Sequence, residues 1–444
     1  MKTKLSALLS LFFALCPYLL IAKTIYDHDN SNIHSLVESG KAKYVIRYNH
    51  FFNDTLYVPS DSEFLFEGGH LSGPIVFDNT KLSGNVNLKG SSIGGTLRNK
   101  KFNASWLCVT DGTSDNAPQI NEIIKICNTV FFPKGTYRLV SQYNANGEIP
   151  KELIPSIKSH IGINKDNVSL IGESGTVLIT DEPLGTICIF SQPNDIERSV
   201  RNILIKNITF DVHNDGKNFY EFMHTIKLIG VNIINIENCT FNDFWGDAIC
   251  LSHYGDTPRT GERTRNQDVR IINNTIIGGK HHSNRNGISI VSGKDVLVKN
   301  NYIKNTSRND MPGGIDVEPN NSAYTIENIK IENNVLEGIQ GSGGAICVVI
   351  FNEGPAHGIS IVGNRIVKSR NGLLLYVKTD DTSDNFIIKD NIIDENTHPL
   401  RFTGNGETRN WTICGNVFKH PIKQKIPGDI KVTNLLVKNN KKKG

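Results

Sequence analysis

The chain of 444 residues lacks the cysteine spacings that mark a metal site or a disulfide framework. Its eight cysteines are scattered, and Cys239, Cys250, Cys347 and Cys414 lie inside strand-like apolar runs. A thiol in such a run behaves as a small apolar side chain. We therefore expect free cysteines with a structural role.

Long hydrophobic runs are absent after residues 1–22. These residues start with Lys2 and Lys4 and continue as an apolar stretch that ends at Ala22, which is typical of a signal peptide. We expect cleavage after Ala22, a secreted or periplasmic protein, and no membrane span in the mature chain. A membrane anchor is the alternative, since about 17 apolar residues just span a bilayer.

A large excess of one charge is also missing, because the formal net charge is only +4. That value, and the lack of a basic stripe interleaved with aromatic residues, argue against nucleic acid as a partner. Basic residues do cluster locally. They are Arg259, Arg263, Arg265, Lys280, His281, His282 and Arg285. Such loops suit an anionic ligand, although a solvated loop without a partner would look the same.

From residue 200 onwards the chain has no segment with helical periodicity, and similar strand-like units recur instead. Each unit alternates apolar and polar residues and then reaches an asparagine. The recurring asparagines are Asn207, Asn238, Asn274, Asn301, Asn334, Asn364, Asn391, Asn416 and Asn440, 24 to 36 residues apart. A period of this size indicates a solenoid with about three short strands per coil. We expect these asparagines to occupy left-handed turns and to bond from coil to coil.

The sequence before residue 200 does not show this repeat. Residues 23–105 are polar and strand-rich, and we assign them to a β-rich N-terminal segment. The main domain then covers residues 106–444. Within it, Asp115 is a predicted N-cap, followed by apolar residues on one face of a helix up to Cys127. This helix is expected to cap the open end of the coil stack.

Two motifs flank this helix, namely Asp-Gly-Thr-Ser-Asp-Asn at 111–116 and Phe-Pro-Lys-Gly-Thr-Tyr at 132–137. With Val-Ser-Leu-Ile-Gly at 168–172, they resemble the pectate-lyase-like superfamily, which includes tailspike-type proteins and relatives of polygalacturonases. The resemblance covers about residues 106–440. It implies an all-β fold, a single-stranded right-handed parallel β-helix. It does not imply one chemistry, because lyases, hydrolases, epimerases and binding proteins share this fold.

The stretch from Trp245 to Asn320 contains three strands that align on Ile249, Ile288 and Ile315. This alignment places acids, a base and an amide at equivalent positions of successive coils. The predicted catalytic residues are Asp247, His253, Arg285, Asp316 and Glu318. The predicted substrate-binding residues are Tyr254, Arg259, Arg263, Arg265, Lys280, His282, Asn286, Asn320 and Tyr376. We expect these side chains to share one outer wall of the solenoid.

This arrangement favours a lyase that cleaves an acidic, uronate-containing polysaccharide, either pectin or a glycosaminoglycan such as chondroitin, dermatan or hyaluronan. In β-elimination the site neutralises the sugar carboxylate while a base removes the α-proton. Asp316 and Glu318 are also candidate Ca²⁺ ligands. A polygalacturonase-type hydrolase is the second interpretation, although paired aspartates, Gly-His-Gly and Arg-Ile-Lys are missing. A non-catalytic glycan-binding β-helix is the third. The oligomeric state stays open.

Overall fold

The computed structural model describes residues 23–145, 151–191, 199–253, 265–281, 283–319, 326–350, 355–378, 380–420 and 428–442. The predicted signal peptide at 1–22 lies outside this part of the chain. The chain divides into two compact units. Unit 1 extends to Lys100 and includes Lys125–Cys127, and unit 2 comprises Lys101–Ile124 and Asn128–Gly444.

Unit 1 is built from short parallel strands and one short helix, α1 (Ile33–Val37). Its strands are β1 (Thr24–Tyr26), β2 (Lys43–Ile46), β3 (Asn49–Phe51), β4 (Leu56–Tyr57), β5 (Glu63–Phe66), β6 (His70–Ser72), β7 (Pro74–Gly84) and β8 (Ser92–Leu97). Ile46 pairs with Phe66, and Ile75 pairs with Ile93. Side chains one coil apart are separated by 18 to 20 residues. Unit 1 therefore contains short parallel coils of its own.

Unit 2 contains three long parallel sheets, which we name A, B and C. Sheet A consists of β9 (Phe102–Asn103), β11 (Thr129–Phe132), β14 (Ser169–Gly172), β17 (Arg201–Lys206), β20 (Asn232–Glu237), β23 (Asn266–Ile272), β26 (Gly293–Lys299), β29 (Ile326–Glu332), β32 (Ala356–Val362), β34 (Asp380–Lys389), β36 (Glu407–Cys414) and β38 (Lys431–Lys438).

Sheet B consists of β10 (Asp111–Asp115), β12 (Gly135–Arg138), β15 (Thr176–Thr180), β18 (Thr209–Val212), β21 (Thr240–Asn242), β24 (Thr275–Ile277), β27 (Tyr302–Lys304), β30 (Val335–Glu337), β37 (Val417–Phe418) and β39 (Lys441–Lys442). Sheet C consists of β13 (Ser159–Ile163), β16 (Gly185–Phe190), β19 (Ile226–Ile229), β22 (Ile249–Ser252), β25 (Ile288–Ile290), β28 (Gly313–Val317) and β31 (Gly344–Ile350). The long strands β33 (Arg365–Val377) and β35 (Ile392–Thr403) run through both B and C.

From β11 to β35 the chain visits A, B and C once in each coil, and the pairings between these coils are parallel. The predicted single-stranded right-handed parallel β-helix is therefore confirmed. Apolar side chains of all three sheets point inward and stack on their counterparts in the next coil. In sheet C, for example, Ile249, Ile288, Ile315 and Ile346 are in register and fully buried.

The recurring asparagines occupy two adjacent columns at the turn between sheets A and B. Asn207, Asn238, Asn273 and Asn300 adopt the left-handed conformation, with φ between 55° and 58°. The next residue in each later coil is buried and forms a ladder made of Asn274, Asn301, Asn334, Asn364, Asn391, Asn416 and Asn440. From the sequence we expected one residue to have both roles, and the structure divides them between neighbours. Asn207 and Asn238 belong to the first column only.

The predicted helix in unit 2 is α2 (Ala117–Ile126), and Asp115 Oδ1 accepts a hydrogen bond from the Ala117 amide at 3.0 Å. Its apolar face is buried as expected. Asn121 donates to the carbonyl of His160 at 2.9 Å and accepts from the Gly162 amide at 3.1 Å, which fixes the helix to β13. Its capping role stays a prediction. Short 3₁₀ helices span Ala104–Trp106 and Lys151–Ile157.

The seven cysteines of the described chain are free and buried, as predicted. They are Cys108, Cys127, Cys188, Cys239, Cys250, Cys347 and Cys414. None of the described helices is long and apolar enough to cross a membrane.

Candidate active site

The candidate site lies on sheet C, where the alignment on Ile249, Ile288 and Ile315 is reproduced residue for residue. Positions after these inward residues therefore alternate outward and inward. The outward column that follows them contains Lys227, Cys250, Ser289, Asp316, Cys347, Leu374 and Arg401. Positions two residues before them form a polar row at the entry to the sheet, made of His224, Asp247, Asn286 and Gly313.

Asp247 is fully buried, with 0% of its surface exposed, and each of its oxygens is engaged. Oδ1 accepts from the Asn286 amide at 2.9 Å, and Oδ2 accepts from Nη1 of Arg285 at 3.3 Å. His224 Nδ1 lies 3.1 Å from both Oδ2 and the backbone nitrogen of Asp247. Burial raises the pKa of Asp247, but Arg285 and His224 outweigh it and lower this pKa to about 2. Asp247 therefore stays ionised without touching the surface.

Arg285 carries the positive charge of the site. Only 13% of its side chain is exposed, and Nε lies 3.6 Å from Glu221 Oε1. The charge of Asp247 raises the pKa of Arg285 despite its burial. The turn before it is fixed by a hydrogen-bonded chain in which His281 contacts Asp243 at 2.8 Å and Ser283 at 2.6 Å. Arg285 is thus a permanent cation held beside the acids.

Asn286 connects the two acidic parts of the site. Its backbone amide bonds to Asp247, while its side-chain amide donates to Asp316 Oδ2 at 3.3 Å and to Ser289 Oγ at 3.0 Å. Its Oδ1 accepts from the Gly313 amide at 3.0 Å. A side chain on Gly313 would lie 1.7 Å from the carbonyl oxygen of Gly344, so only glycine allows this approach. Asn286 therefore has a positioning role.

Asp316 and Glu318 form a pair of interacting carboxyl groups. Asp316 is 1% exposed, and its Oδ1 accepts no hydrogen bond from a donor group of the described chain. Burial, with the charge of Glu318, raises the pKa of Asp316 well above its usual range. Burial also raises the pKa of Glu318, against the lowering effect of Arg285. Neighbouring carboxylates resist ionising together, which acts in the same direction as burial on the pKa of Asp316.

The structure covers most of the wall that we expected to be open. Asp247, Asn286 and Asp316 are buried, and only Glu318 and Arg285 of the cluster are partly exposed. Side-chain direction follows from strand alternation, whereas burial depends on the segments that pack over the sheet. The shared face is thus reproduced, but Asp247 reaches it only through Arg285 and Asn286.

The remaining predicted residues are dispersed. His253 directly follows β22 and is half-buried, and Lys280 is exposed. The register places Tyr376 in the outward column of Glu318, two coils further on. Arg265 is 10% exposed and pairs with Glu327 of sheet A at 3.3 Å, away from the acids of sheet C. Tyr254, Arg259, Arg263, His282 and Asn320 lie outside the described residues.

Sequence reasoning missed His224, although a signal for it was present. The segment Thr225–Ile226–Lys227–Leu228 has the same alternation as the three aligned strands, and His224 precedes Ile226 as Asp247 precedes Ile249. Extending the alignment by one coil would have found it. His224, Asp247 and Cys250 have donor atoms within 4.8 Å of one another. Burial raises the pKa of Cys250, and Arg285 already binds Asp247, so this trio does not resemble an open metal site.

Comparisons with solved structures give parallel β-helix proteins. The surface adhesin PfbA of Streptococcus pneumoniae is 12% identical, with a TM-score of 0.43, over 77% of this chain and 97% of that protein. The tailspike protein of Acinetobacter baumannii phage AM24 is 12% identical, with a TM-score of 0.48, over 77% of this chain and 55% of the tailspike. The family 28 exopolygalacturonase of Yersinia enterocolitica is 12% identical, with a TM-score of 0.45, over 78% of both chains.

Among curated protein sequences, none matches significantly. The family comparison does give a match. Residues 108–340, which include α2, the coils from β10 to β30 and the acidic cluster of sheet C, match the family described as rhamnogalacturonase A/epimerase, pectate lyase-like. The chain belongs to this family of parallel β-helix proteins.

Proposed function

We propose that this protein is a polysaccharide lyase that cleaves a uronate-containing polysaccharide by β-elimination at the cluster of Arg285, Asp316 and Glu318. The coarser statement, that it acts on polysaccharides, agrees with a family whose description names a rhamnogalacturonase and an epimerase. A uronate epimerase and a uronate lyase begin with the same step, removal of the proton α to the sugar carboxylate.

One observation carries the proposal, namely a pair of carboxyl groups with raised pKa values beside a buried arginine. Removal of an α-proton from a uronate places a second negative charge on its carboxylate group. The site must stabilise that charge with cations and hydrogen-bond donors that are already in place. Arg285 supplies a fixed positive charge, and the Asp316–Glu318 pair supplies an acidic proton.

The protonation of the pair explains how it can accept an anionic substrate. With one shared proton the pair has a net charge of −1, which would repel a uronate. An approaching carboxylate raises the pKa of both neighbouring acids further, as a like charge does. The pair then takes up a second proton, and Glu318, the more exposed member, becomes a donor.

Asp247 and Asn286 act indirectly in this mechanism. Asp247 holds Arg285 at 3.3 Å and the Asn286 amide at 2.9 Å, and Asn286 in turn orients Asp316. They are positioning residues. The base comes from the groups at the ends of the strands, and His253 is our first choice among described residues, with Lys280 second. Tyr254 and His282 stay candidates outside the described chain.

Cations at both ends of the outward column support an elongated anionic ligand. Lys227 is one coil before Cys250, and Arg401 is two coils after Cys347. Six steps of about 4.8 Å separate them, so the column is roughly 29 Å long. Asp316 is the only ionisable acid of this column between Lys227 and Arg401. The five residues between these cations are buried, so a polyanion along the axis would contact the two cations at the ends and not the column itself.

A hydrolase with two catalytic carboxyls fits the geometry less well. Retaining and inverting enzymes hold their carboxyls about 5 Å or about 6.5–9.5 Å apart. Burial raises the pKa of both Asp316 and Glu318, so neither has the low pKa that keeps a nucleophile or a general base ionised. Asp247 has no exposed surface and cannot activate a water molecule that attacks a sugar.

The Ca²⁺ site at Asp316 and Glu318 stays a prediction. Ca²⁺ binds ionised carboxylates and takes six to eight oxygen ligands, whereas burial raises the pKa of both acids beside Arg285. We therefore propose a mechanism that contains no step through a metal ion.

The test is a panel of pectate, chondroitin, dermatan, hyaluronan and alginate, with two measurements on each. An increase in ultraviolet absorbance reports the unsaturated product of elimination, and a reducing-end assay reports all cleavage. We expect both signals on at least one polymer. Reducing ends without absorbance would show hydrolysis, and binding without either would show a glycan-binding protein. Export is part of the proposal, and a mature N-terminus at Lys23 in mass spectrometry would support it.

A further inference from the structure

The second feature with ligand-binding chemistry is an open groove on sheet A, a different face from the candidate active site. It has a volume of about 440 Å³ and crosses the four coils of β20, β23, β26 and β29. Each coil contributes a residue in the left-handed conformation and the outward residue two positions later. The first set is Ile233, Asp268, Asp295 and Asn328, and the second is Asn235, Arg270, Leu297 and Lys330.

Ile233 is an unexpected residue in its column. Ten described coils have a left-handed residue at this position, and the other nine are asparagine, aspartate or glycine. They are Asn167, Asn202, Asp268, Asp295, Asn328, Gly358, Asn385, Asn410 and Asn434. A β-branched residue at φ 56° is strained, and its side chain cannot join the amide ladder that connects several neighbours. Ile233 is also 42% exposed, so core packing does not explain it.

Strain of this kind persists where another requirement selects the residue. Ile233 gives the groove an apolar wall at one end, and Leu297 is half-buried on its floor. These two side chains can contact the C–H face of a sugar ring. The fold alone would favour asparagine at residue 233, so the isoleucine points to a ligand.

The charges of the groove point to the same class of ligand. Arg270 and Lys330 are exposed on the floor, two coils and roughly 10 Å apart, and neither forms an ion pair with a described residue. The next outward column of the same sheet is different, because Lys206 pairs with Glu237 at 2.8 Å and Lys299 pairs with Glu332 at 3.3 Å. Unpaired cations thus coincide with the groove.

Asp268 and Asp295 lie on the rim beside these cations. A plain polyanion such as a nucleic acid would meet repulsion there, and a neutral glycan would leave Arg270 and Lys330 without a partner. An acidic saccharide satisfies both kinds of group, because its carboxylates accept from the cations while its hydroxyls donate to the aspartates.

We propose that this groove binds a second segment of the acidic polysaccharide, with Arg270 and Lys330 as carboxylate contacts and Ile233 and Leu297 as apolar contacts. Only the choice of ligand class rests on the proposed function. The groove would hold a long substrate on the face of sheet A while sheet C acts on another segment.

The experiment measures binding by calorimetry to the full chain carrying Asp316→Asn, which prevents turnover. The probes are a galacturonate hexamer, a chondroitin hexasaccharide and a neutral maltohexaose. We expect one acidic probe to bind in two phases, of which Arg270→Ala with Lys330→Ala weakens one by about tenfold or more. Lys299→Ala is the matched control, since it removes an ion-paired lysine from the same sheet, and it should leave both phases intact.

Ile233→Asn provides a second test that does not depend on charge. Asparagine relieves the left-handed strain, so the thermal midpoint should rise while the same binding phase weakens about threefold. Higher stability with unchanged binding would overturn the proposal, as would equal binding of maltohexaose or an unaffected double variant. Cleavage assays separate this result from the proposed function, because the groove variants in a wild-type background should keep their turnover of short substrates.

Discussion

Two regions of unit 2 that bury polar side chains, the asparagine ladder and the candidate site, differ in how completely these side chains are hydrogen-bonded. In the ladder, Asn334 donates to the Val298 carbonyl at 2.9 Å and to Asn364 Oδ1 at 3.0 Å. Its own Oδ1 accepts from the amide and the side chain of Asn301. Asn301, Asn364, Asn391 and Asn416 repeat this arrangement, so these side chains are uncharged and have partners for both the amide nitrogen and the oxygen.

The candidate site leaves some of its hydrogen-bonding atoms without a partner in the described chain. Asp316 Oδ1 and Arg285 Nε are buried without a hydrogen-bond partner in the described chain, and the acids beside them have pKa values shifted in opposite directions. Unsatisfied buried groups destabilise a fold. The ladder therefore stabilises the solenoid, and the site keeps hydrogen-bonding groups that the proposed mechanism would use.

The largest expected effect is a loss of activity in a variant of the candidate site. Asp316→Asn removes the shared proton and should lower the rate of elimination by about 10²–10⁴-fold. The variant should be at least as stable as wild type, and its advantage should grow with pH. The reason is that folding raises the pKa of Asp316, so wild-type stability falls as pH rises above the unfolded value of about 3.9.

The matched control is Glu332→Gln, which makes the same chemical change in an exposed ion pair of sheet A. It should leave both rate and stability nearly unchanged. Full activity in Asp316→Asn would mean that the reaction takes place elsewhere.

The second effect is on stability and comes from the ladder. Asn334→Ala leaves the Asn301 amide and the Val298 carbonyl without their partners, and should lower the free energy of unfolding by about 3 kcal/mol or more. Urea unfolding measures this change. Asn333→Gly alters the exposed neighbour at φ 54° without strain and should be almost neutral. Equal losses in the two variants would remove the distinction between the two asparagine columns.

The ladder and the site also differ in how far they could be predicted. Period-two alternation and recurring asparagines suffice for the coils, because every coil repeats the same local rule. The alignment of Ile249, Ile288 and Ile315 similarly placed Asp247, Asn286 and Asp316 near one another. Burial of Asp247 was not predictable, since it depends on Arg285 folding back and on His224 from an earlier coil.

The two asparagine columns show a different limit. Adjacent residues such as Asn273 and Asn274 are both asparagine, and composition alone does not tell which one turns the chain and which one enters the ladder. A one-residue shift exchanges an exposed role for a buried one. Ile233 could not be singled out from the sequence either, because its strain is visible only in the backbone angles.

A smaller effect, on how stability depends on pH, distinguishes the candidate site from the asparagine ladder. The pKa of Asp247 is about 2 in the folded chain, below its unfolded value of about 3.9, so Asp247 contributes stability above pH 3.9 and loses it as pH falls towards 2. Asp247→Asn should therefore cost about 2.6 kcal/mol at pH 7 and about half of that at pH 3. Urea unfolding at both values measures this. The loss in Asn334→Ala should be the same at both, because the ladder contains no ionisable group.

The smallest expected effect is that of a chelator. A proton and a divalent cation compete for the same carboxylate oxygens, and Arg285 adds a positive charge that favours the proton. Dialysis against EDTA at constant pH should therefore change the elimination rate by less than about twofold. Loss of activity that returns with added Ca²⁺ would mean that Asp316 and Glu318 work as ionised ligands. In that case the site would resemble the ladder more closely, as a set of groups whose partners are all defined.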